Sequence, residues 1–256
     1  MIINIKVISF IIIILFIIYV LYIGQNCMST KIYTFDSNKP GPTILIVAGT
    51  HGNEPAASQY FSNFVNASYK SNFKSNFKPN SGKIIIIPRV NDCALKLNMR
   101  STPLIGDINR KYNKNNKVNE IVNRETNGIN QQIMKIIDTN KIDFVLDFHE
   151  GYDFHNINVK SLGSTITYTK DNTGKAKKFG EYIVEKLNDT INNDKKKFTL
   201  LDYNYKPIKG TLLDYLSDLN ISGILIETSG QNNIQPLKVR LEQIDLIFKN
   251  ILTIIN

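Results

Sequence analysis

The 256-residue sequence has two cysteines, Cys27 and Cys93, and three histidines, His51, His149 and His155. Two cysteines exclude a disulfide-built scaffold and any multi-cysteine zinc site, which needs three or four spaced thiolates. With so few histidines, any metal site must complete its ligand set with carboxylate. The net charge is +9, but the lysines are scattered, and the only run, Lys195-Lys196-Lys197, sits beside Asn192, Asn193 and Asp194. No aromatic-basic platform accompanies it, so it reads as a solvated loop or helix end, and no nucleic-acid partner is expected. Hydrophobic residues at 42% and charged residues at 21% exclude a disordered or collagen-like chain. The length suits one sizeable α/β core rather than two domains.

One segment departs from this soluble average. Residues 7–23, VISFIIIILFIIYVLYI, run for 17 positions without a charge. As a helix they reach roughly 26 Å, near the lower limit for crossing a bilayer. No small-x-small cleavage site follows, so an uncleaved single-pass transmembrane anchor over residues 1–24 is expected. Lys6 on its amino-terminal side places the catalytic body on the non-cytoplasmic side. Residues 25–42, with Asn38, Pro40, Gly41 and Pro42, read as a linker that includes an edge strand near 31–35.

A catalytic domain is then expected over 43–256. Short, β-branched runs at 43–48, 83–88, 143–148 and 222–227 have the pattern of strands buried on both faces. Between and after them, helical spacing is found at 54–66, 118–140 with a break at Asn127-Gly128, 173–191 and 236–255. Alternation of this kind predicts an α/β sheet covered on both sides, with ligands gathering at the carboxyl ends of its strands.

The chemistry-bearing residues fall at those ends. The first run leads into Gly49-Thr50-His51-Gly52-Asn53-Glu54-Pro55, and the third ends in Leu146-Asp147-Phe148-His149. His51, Glu54 and His149 form a two-histidine, one-carboxylate set, the type that holds one catalytic zinc with a position open for water. Asp147 lies two residues before His149 on the same strand face, placed to orient a neighbouring group. Glu227 follows Ile-Leu-Ile in the fourth run, an expensive position for a charge unless it is paired or acts as a general base. Arg110 is one of few arginines and beside Asn109 offers a bidentate fork for a substrate carboxylate; Arg100 is a candidate to polarise a carbonyl and stabilise an oxyanion. His155 reads as pocket wall or surface.

Gly-Thr-His51-Gly-Asn-Glu54, Asp-Ile-Asn109-Arg110, Asp-Phe-His149 and Ile-Glu227, in that order, resemble the succinylglutamate desuccinylase and aspartoacylase family within the zinc carboxypeptidase-like fold. The resemblance covers about residues 43 to 255. It implies a three-layer α/β/α sandwich with a mixed, mostly parallel sheet, and zinc on His51, Glu54 and His149. It implies Glu227 as the base toward zinc-activated water, Asn109 and Arg110 on the substrate carboxylate, and Arg100 on the carbonyl oxygen. Tyr205, 22 residues before Glu227, resembles the substrate-binding tyrosine of carboxypeptidases, with Tyr203 as the competing candidate. Only 29 residues follow Glu227, room for one helix but not for the family's carboxyl-terminal closing domain. The expected activity is hydrolysis of an amide bond in a carboxylate-bearing N-acyl amino acid. The alternatives are a metallocarboxypeptidase acting on peptides or peptidoglycan-like stems, and a non-catalytic membrane-anchored binding protein.

Overall fold

The computed structural model describes residues 5–26, 30–70, 77–102, 106–113 and 128–254. β-Branched runs extend where neighbours bury both faces of a strand, and the four runs expected as strands are β2 (Thr43–Ala48), β3 (Lys83–Ile87), β4 (Phe144–Gly151) and β7 (Ser222–Ser229). With β1 (Tyr33–Asp36), β5 (Thr165–Tyr168) and β6 (Thr199–Asp202) they form one seven-stranded sheet in the order β1-β3-β2-β4-β7-β5-β6. Strand β1 pairs antiparallel with β3, and β5 pairs antiparallel with β7, while the other pairings are parallel. The sheet is therefore mixed and mostly parallel.

Alternation along the strands feeds two cores. Ile44, Ile46, Leu146, Phe148, Ile224 and Ile226 face one side, under α2 (Pro55–Lys70), α5 (Lys175–Asn188) and α7 (Leu237–Ile254). Leu45, Val47, Ile85, Ile87 and Val145 face the other, under α3 (Asp92–Leu97), α4 (Gly128–Asn140) and α6 (Leu212–Asp218). Three layers result. Pro55 starts α2, where the missing N–H costs nothing. Helix α4 begins at Gly128, as the Asn127-Gly128 break anticipates; residues 118–127 of the expected helix lie outside the described residues.

The amino-terminal run is helical as α1 (Ile5–Asn26), and α1 approaches α3. Among the described residues, however, no helix is long and apolar enough to cross a membrane. The expected transmembrane span thus has no support in the fold. Cys93 at the start of α3 is disulfide-bonded, and the chain's other cysteine, Cys27, is outside the described residues.

Phe61 of α2 is fully buried, with its ring against Phe148 of β4 at 5.2 Å and Phe248 of α7 at 5.4 Å between centroids. It joins two helices to the strand that carries His149. Phe61→Ala is expected to lower unfolding free energy by about 3–5 kcal/mol, measured by the denaturant midpoint; a loss below 1 kcal/mol would show that the site end of β4 does not depend on this packing.

Candidate metal-dependent active site

Parallel pairing sets β2 beside β4 and β4 beside β7, so their carboxyl ends open on one cavity. His51 and Glu54 lie on the turn between β2 and α2. The turn is pressed onto α3 so closely that a Cβ at Gly52 would collide with the Ala94 carbonyl, which reserves that position for glycine. His149 and Glu227 are register partners on neighbouring strands, which brings a ligand candidate and a base candidate to the same height. Asp147, His149 and Glu227 share the α3/α4/α6 face by the two-residue alternation of strands.

Glu54 is buried between two imidazoles: its Oε1 lies 2.9 Å from His51 Nδ1 and its Oε2 lies 2.9 Å from His149 Nδ1. One ligand atom from each of the three residues falls within 4.8 Å of the others, and all three residues are buried. Two imidazole nitrogens and one carboxylate at this spacing match the donor set of a divalent transition metal, so the residues present fit such an ion. The far nitrogens also face carboxylates. His51 Nε2 is hydrogen-bonded to Asp107 Oδ1 at 3.1 Å, an arrangement that turns its Nδ1 inward. His149 Nε2 lies 3.3 Å from Asp147 Oδ1 as an ion pair without hydrogen-bond geometry.

Electrostatics follow from this packing. Burial alone raises the Glu54 carboxyl, but the two histidines outweigh it and hold Glu54 well below the usual carboxylate range. Burial likewise disfavours the His149 imidazolium, and Asp147 with Glu54 overcomes it, so His149 is raised. Asp107 is pushed up by burial and pulled down further by His51 and Arg100, with a net lowering. Glu227 differs. Burial dominates, His149 and Arg100 only partly offset it, and the carboxyl is raised to about 8. A cation bound by its neighbours acts in the opposite direction.

Arg100 donates from Nη1 to Glu54 Oε1 at 3.3 Å and from Nη2 to Asp107 Oδ2 at 3.0 Å, with the side chain 43% exposed. Asn109 is buried and its Oδ1 accepts from the Leu212 N–H at 3.0 Å. Exposed Arg110 lines the same cavity and donates from Nη1 to the Asn109 carbonyl at 2.6 Å. The backbone here is gripped by the segment before α6: Gly210, at φ 77°, packs on Arg110, and its carbonyl accepts from Tyr112 N–H at 3.0 Å. Tyr205 lines the mouth and is 48% exposed, whereas Tyr203 also borders the cavity but is buried, with its hydroxyl donating to Asp214. Neither expected position suits His155. It is buried outside the lining, with Nδ1 2.7 Å from the Ser161 carbonyl and its ring edge-on to Tyr205 at 5.7 Å.

Several contributors carry no pattern in the sequence. Gln231 donates from Nε2 to Glu54 Oε1 at 3.0 Å and also to the Glu150 carbonyl. Glu150 points to the opposite face, where it accepts from Ala56 N–H and pairs with buried Arg240; burial raises its carboxyl, and these partners partly offset that. Asp107 is two residues before Asn109, close enough to the Asn-Arg pair to have been suspected.

Residues 40–158 match the family model of the succinylglutamate desuccinylase/aspartoacylase catalytic domain. No curated protein matches the chain. In fold, the chain is similar to apo Csd4, a cell shape determinant protein of Helicobacter pylori, at 19% identity and TM-score 0.71, over 89% of this chain and 55% of Csd4. It spans about half the length of Csd4. The mDAP-bound form of Csd4, a D,L-carboxypeptidase, superposes with TM-score 0.65 at 20% identity over 84% of this chain and 51% of that one. Murein-tripeptide amidase MpaA from Escherichia coli O157 superposes with TM-score 0.54 at 16% identity, over 86% of this chain and 85% of MpaA. The family match thus covers the motifs around His51, Glu54, Asn109, Arg110 and His149 but not Glu227, and the solved structures share the zinc carboxypeptidase-like fold.

Asp107→Asn is expected to weaken zinc binding about 10- to 100-fold, the usual cost of losing an outer carboxylate, while His149→Ala abolishes stoichiometric binding. Competition titration with a chelating dye measures both. Unchanged affinity in Asp107→Asn would remove Asp107 from the site.

Proposed function

We propose that this chain, which carries the succinylglutamate desuccinylase/aspartoacylase catalytic domain match on a zinc carboxypeptidase-like fold, is a zinc-dependent hydrolase of an amide bond beside a free carboxylate. One observation carries the reading. Three buried donor atoms converge within 4.8 Å, and Glu227, the register partner of one donor residue, opens on the same cavity. Zinc held by His51, Glu54 and His149 would supply Lewis-acid chemistry that makes water a nucleophile near neutral pH.

The side chains supply the remainder. Arg110, its Nη1 resting on the Asn109 carbonyl, binds the substrate carboxylate by its planar fork with the Asn109 amide beside it, fixing the scissile carbonyl against the donor cluster. Glu227 takes a proton from water as oxygen bonds to the carbonyl carbon. Arg100 stabilises the developing oxyanion, and as the carbon–nitrogen bond breaks Glu227 returns that proton to the leaving amine. Tyr205, exposed at the mouth and backed by His155, covers the substrate.

The substrate of this reading is an N-acyl amino acid. A second reading, removal of a carboxyl-terminal residue from a peptide or peptidoglycan-like stem, uses the same residues. It is favoured by the exposed Tyr205 and by likeness in fold to a D,L-carboxypeptidase and a murein-tripeptide amidase. Comparing kcat/KM for N-acyl amino acids and for peptides with free carboxyl ends separates the two. Absence of stoichiometric zinc would favour a binding protein instead.

The catalytic body, residues 43–256, is held to a membrane by residues 1–24 through the linker 25–42 and lies on the non-cytoplasmic side. The uncharged run 7–23 supports the anchor, and the disulfide-bonded Cys93 supports an oxidising compartment. The full chain should stay in the membrane pellet through an alkaline carbonate wash; release into the supernatant would contradict anchoring.

Glu227→Gln should keep one zinc per chain and lose turnover by about a hundredfold to ten-thousandfold. Arg110→Lys should instead raise KM or lower kcat/KM for carboxylate substrates, because a point charge cannot replace the fork. Retained turnover in Glu227→Gln would overturn the mechanism.

A further inference from the structure

Beyond the reacting groups, the cavity has a floor made from one transverse row of the sheet. Strand register aligns Asp147 on β4 with Leu225 on β7, Leu225 with Thr167 on β5, and Thr167 with Leu201 on β6. All four residues line the cavity. Asp147 faces His149 as an ion pair, and Leu162, Leu201, Leu213 and Leu225 line the cavity beside it, with Lys160, Asp202 and Lys206 also in the lining. Thr167 sits among these leucines. It is 7% exposed, and its Oγ1 is buried without a hydrogen-bond partner.

Its neighbours show that this is a property of the position rather than of threonine. Thr165, on the same strand face, donates its hydroxyl to the Leu162 carbonyl at 2.6 Å. Thr169, just past the strand, accepts from Gly223 N–H at 2.9 Å. A valine would fill the volume of Thr167 without an orphaned hydroxyl, and unpaired buried polar groups are rare because they are costly. A ligand group reaching the floor would complete the pairing.

We infer that Thr167 determines specificity: its hydroxyl reads a polar tip, such as a hydroxyl or carboxamide, on the side chain of the residue whose carboxylate Arg110 binds. Assigning that side chain to the recess rests on the proposed function. A purely aliphatic side chain fills the recess but leaves Oγ1 unpaired, the situation in which a polar site discriminates best.

N-acetyl-asparagine and N-acetyl-leucine, nearly equal in shape, test the inference on the zinc-loaded full chain. Wild type should favour the asparagine substrate in kcat/KM by about tenfold, Thr167→Ser should keep the preference, and Thr167→Val should abolish or reverse it while still hydrolysing the leucine substrate. The same preference in Thr167→Val, or none in wild type, overturns the inference. If neither compound is hydrolysed, the proposed function fails on these substrates, and calorimetric binding of free asparagine and leucine decides the recess separately. Tighter asparagine binding that Thr167→Val removes supports the inference; equal binding, or none of either, overturns it.

Discussion

A buried carboxylate held between two imidazoles governs the site end of this molecule. Glu54 is withdrawn from water, and only the charges and donors around it make ionisation there affordable: His51, His149, the Arg100 guanidinium and the Gln231 amide. Those partners come from the turn after β2, from β4, from the loop after α3 and from the segment after β7. Parallel pairing of β2 with β4 and of β4 with β7 brings them together. An isolated buried carboxylate of this kind would be intolerable, so the sheet order and the ion cluster are linked constraints.

Alternation along β4 divides the work between two faces. Asp147 and His149 turn to the cavity, while Glu150 turns under α2 and α7, where Ala56 and Arg240 satisfy it. A Cβ at Gly230 would collide with that pair, so β7 must leave the sheet through a residue without a side chain. One strand thus carries a ligand candidate outward and a structural ion pair inward. The same enclosure raises the Glu227 carboxyl, an effect that a cation on its neighbours opposes.

The central strands were legible because residues buried on both faces must be apolar throughout, and β2, β3, β4 and β7 follow that rule closely. Strands β5 and β6 were not, being four residues each, and β5 alternates Thr165 and Thr167 on one face with Ile166 toward the core on the other. Helices α3 and α6 are six and seven residues, too short for a periodic pattern. In the site, His51, Glu54, His149 and Glu227 stood out because each interrupts an apolar run or follows it at a strand end. Asp107, Gln231 and Arg240 lie in loops or helices of ordinary composition, and only three-dimensional contact assigns them a partner. His155 misled because its signal, an aromatic polar loop, does not distinguish a cavity wall from the support behind one.

The central claim is that two chain segments, the turn after β2 and strand β4, converge to hold one cation. Anomalous diffraction at the zinc edge from zinc-loaded crystals tests it most directly. The account predicts one peak at about 2.0–2.1 Å from His51 Nδ1 and His149 Nδ1 and about 2.0–2.2 Å from a Glu54 carboxylate oxygen. A peak elsewhere, or an ion there that Glu54 does not touch, would contradict it.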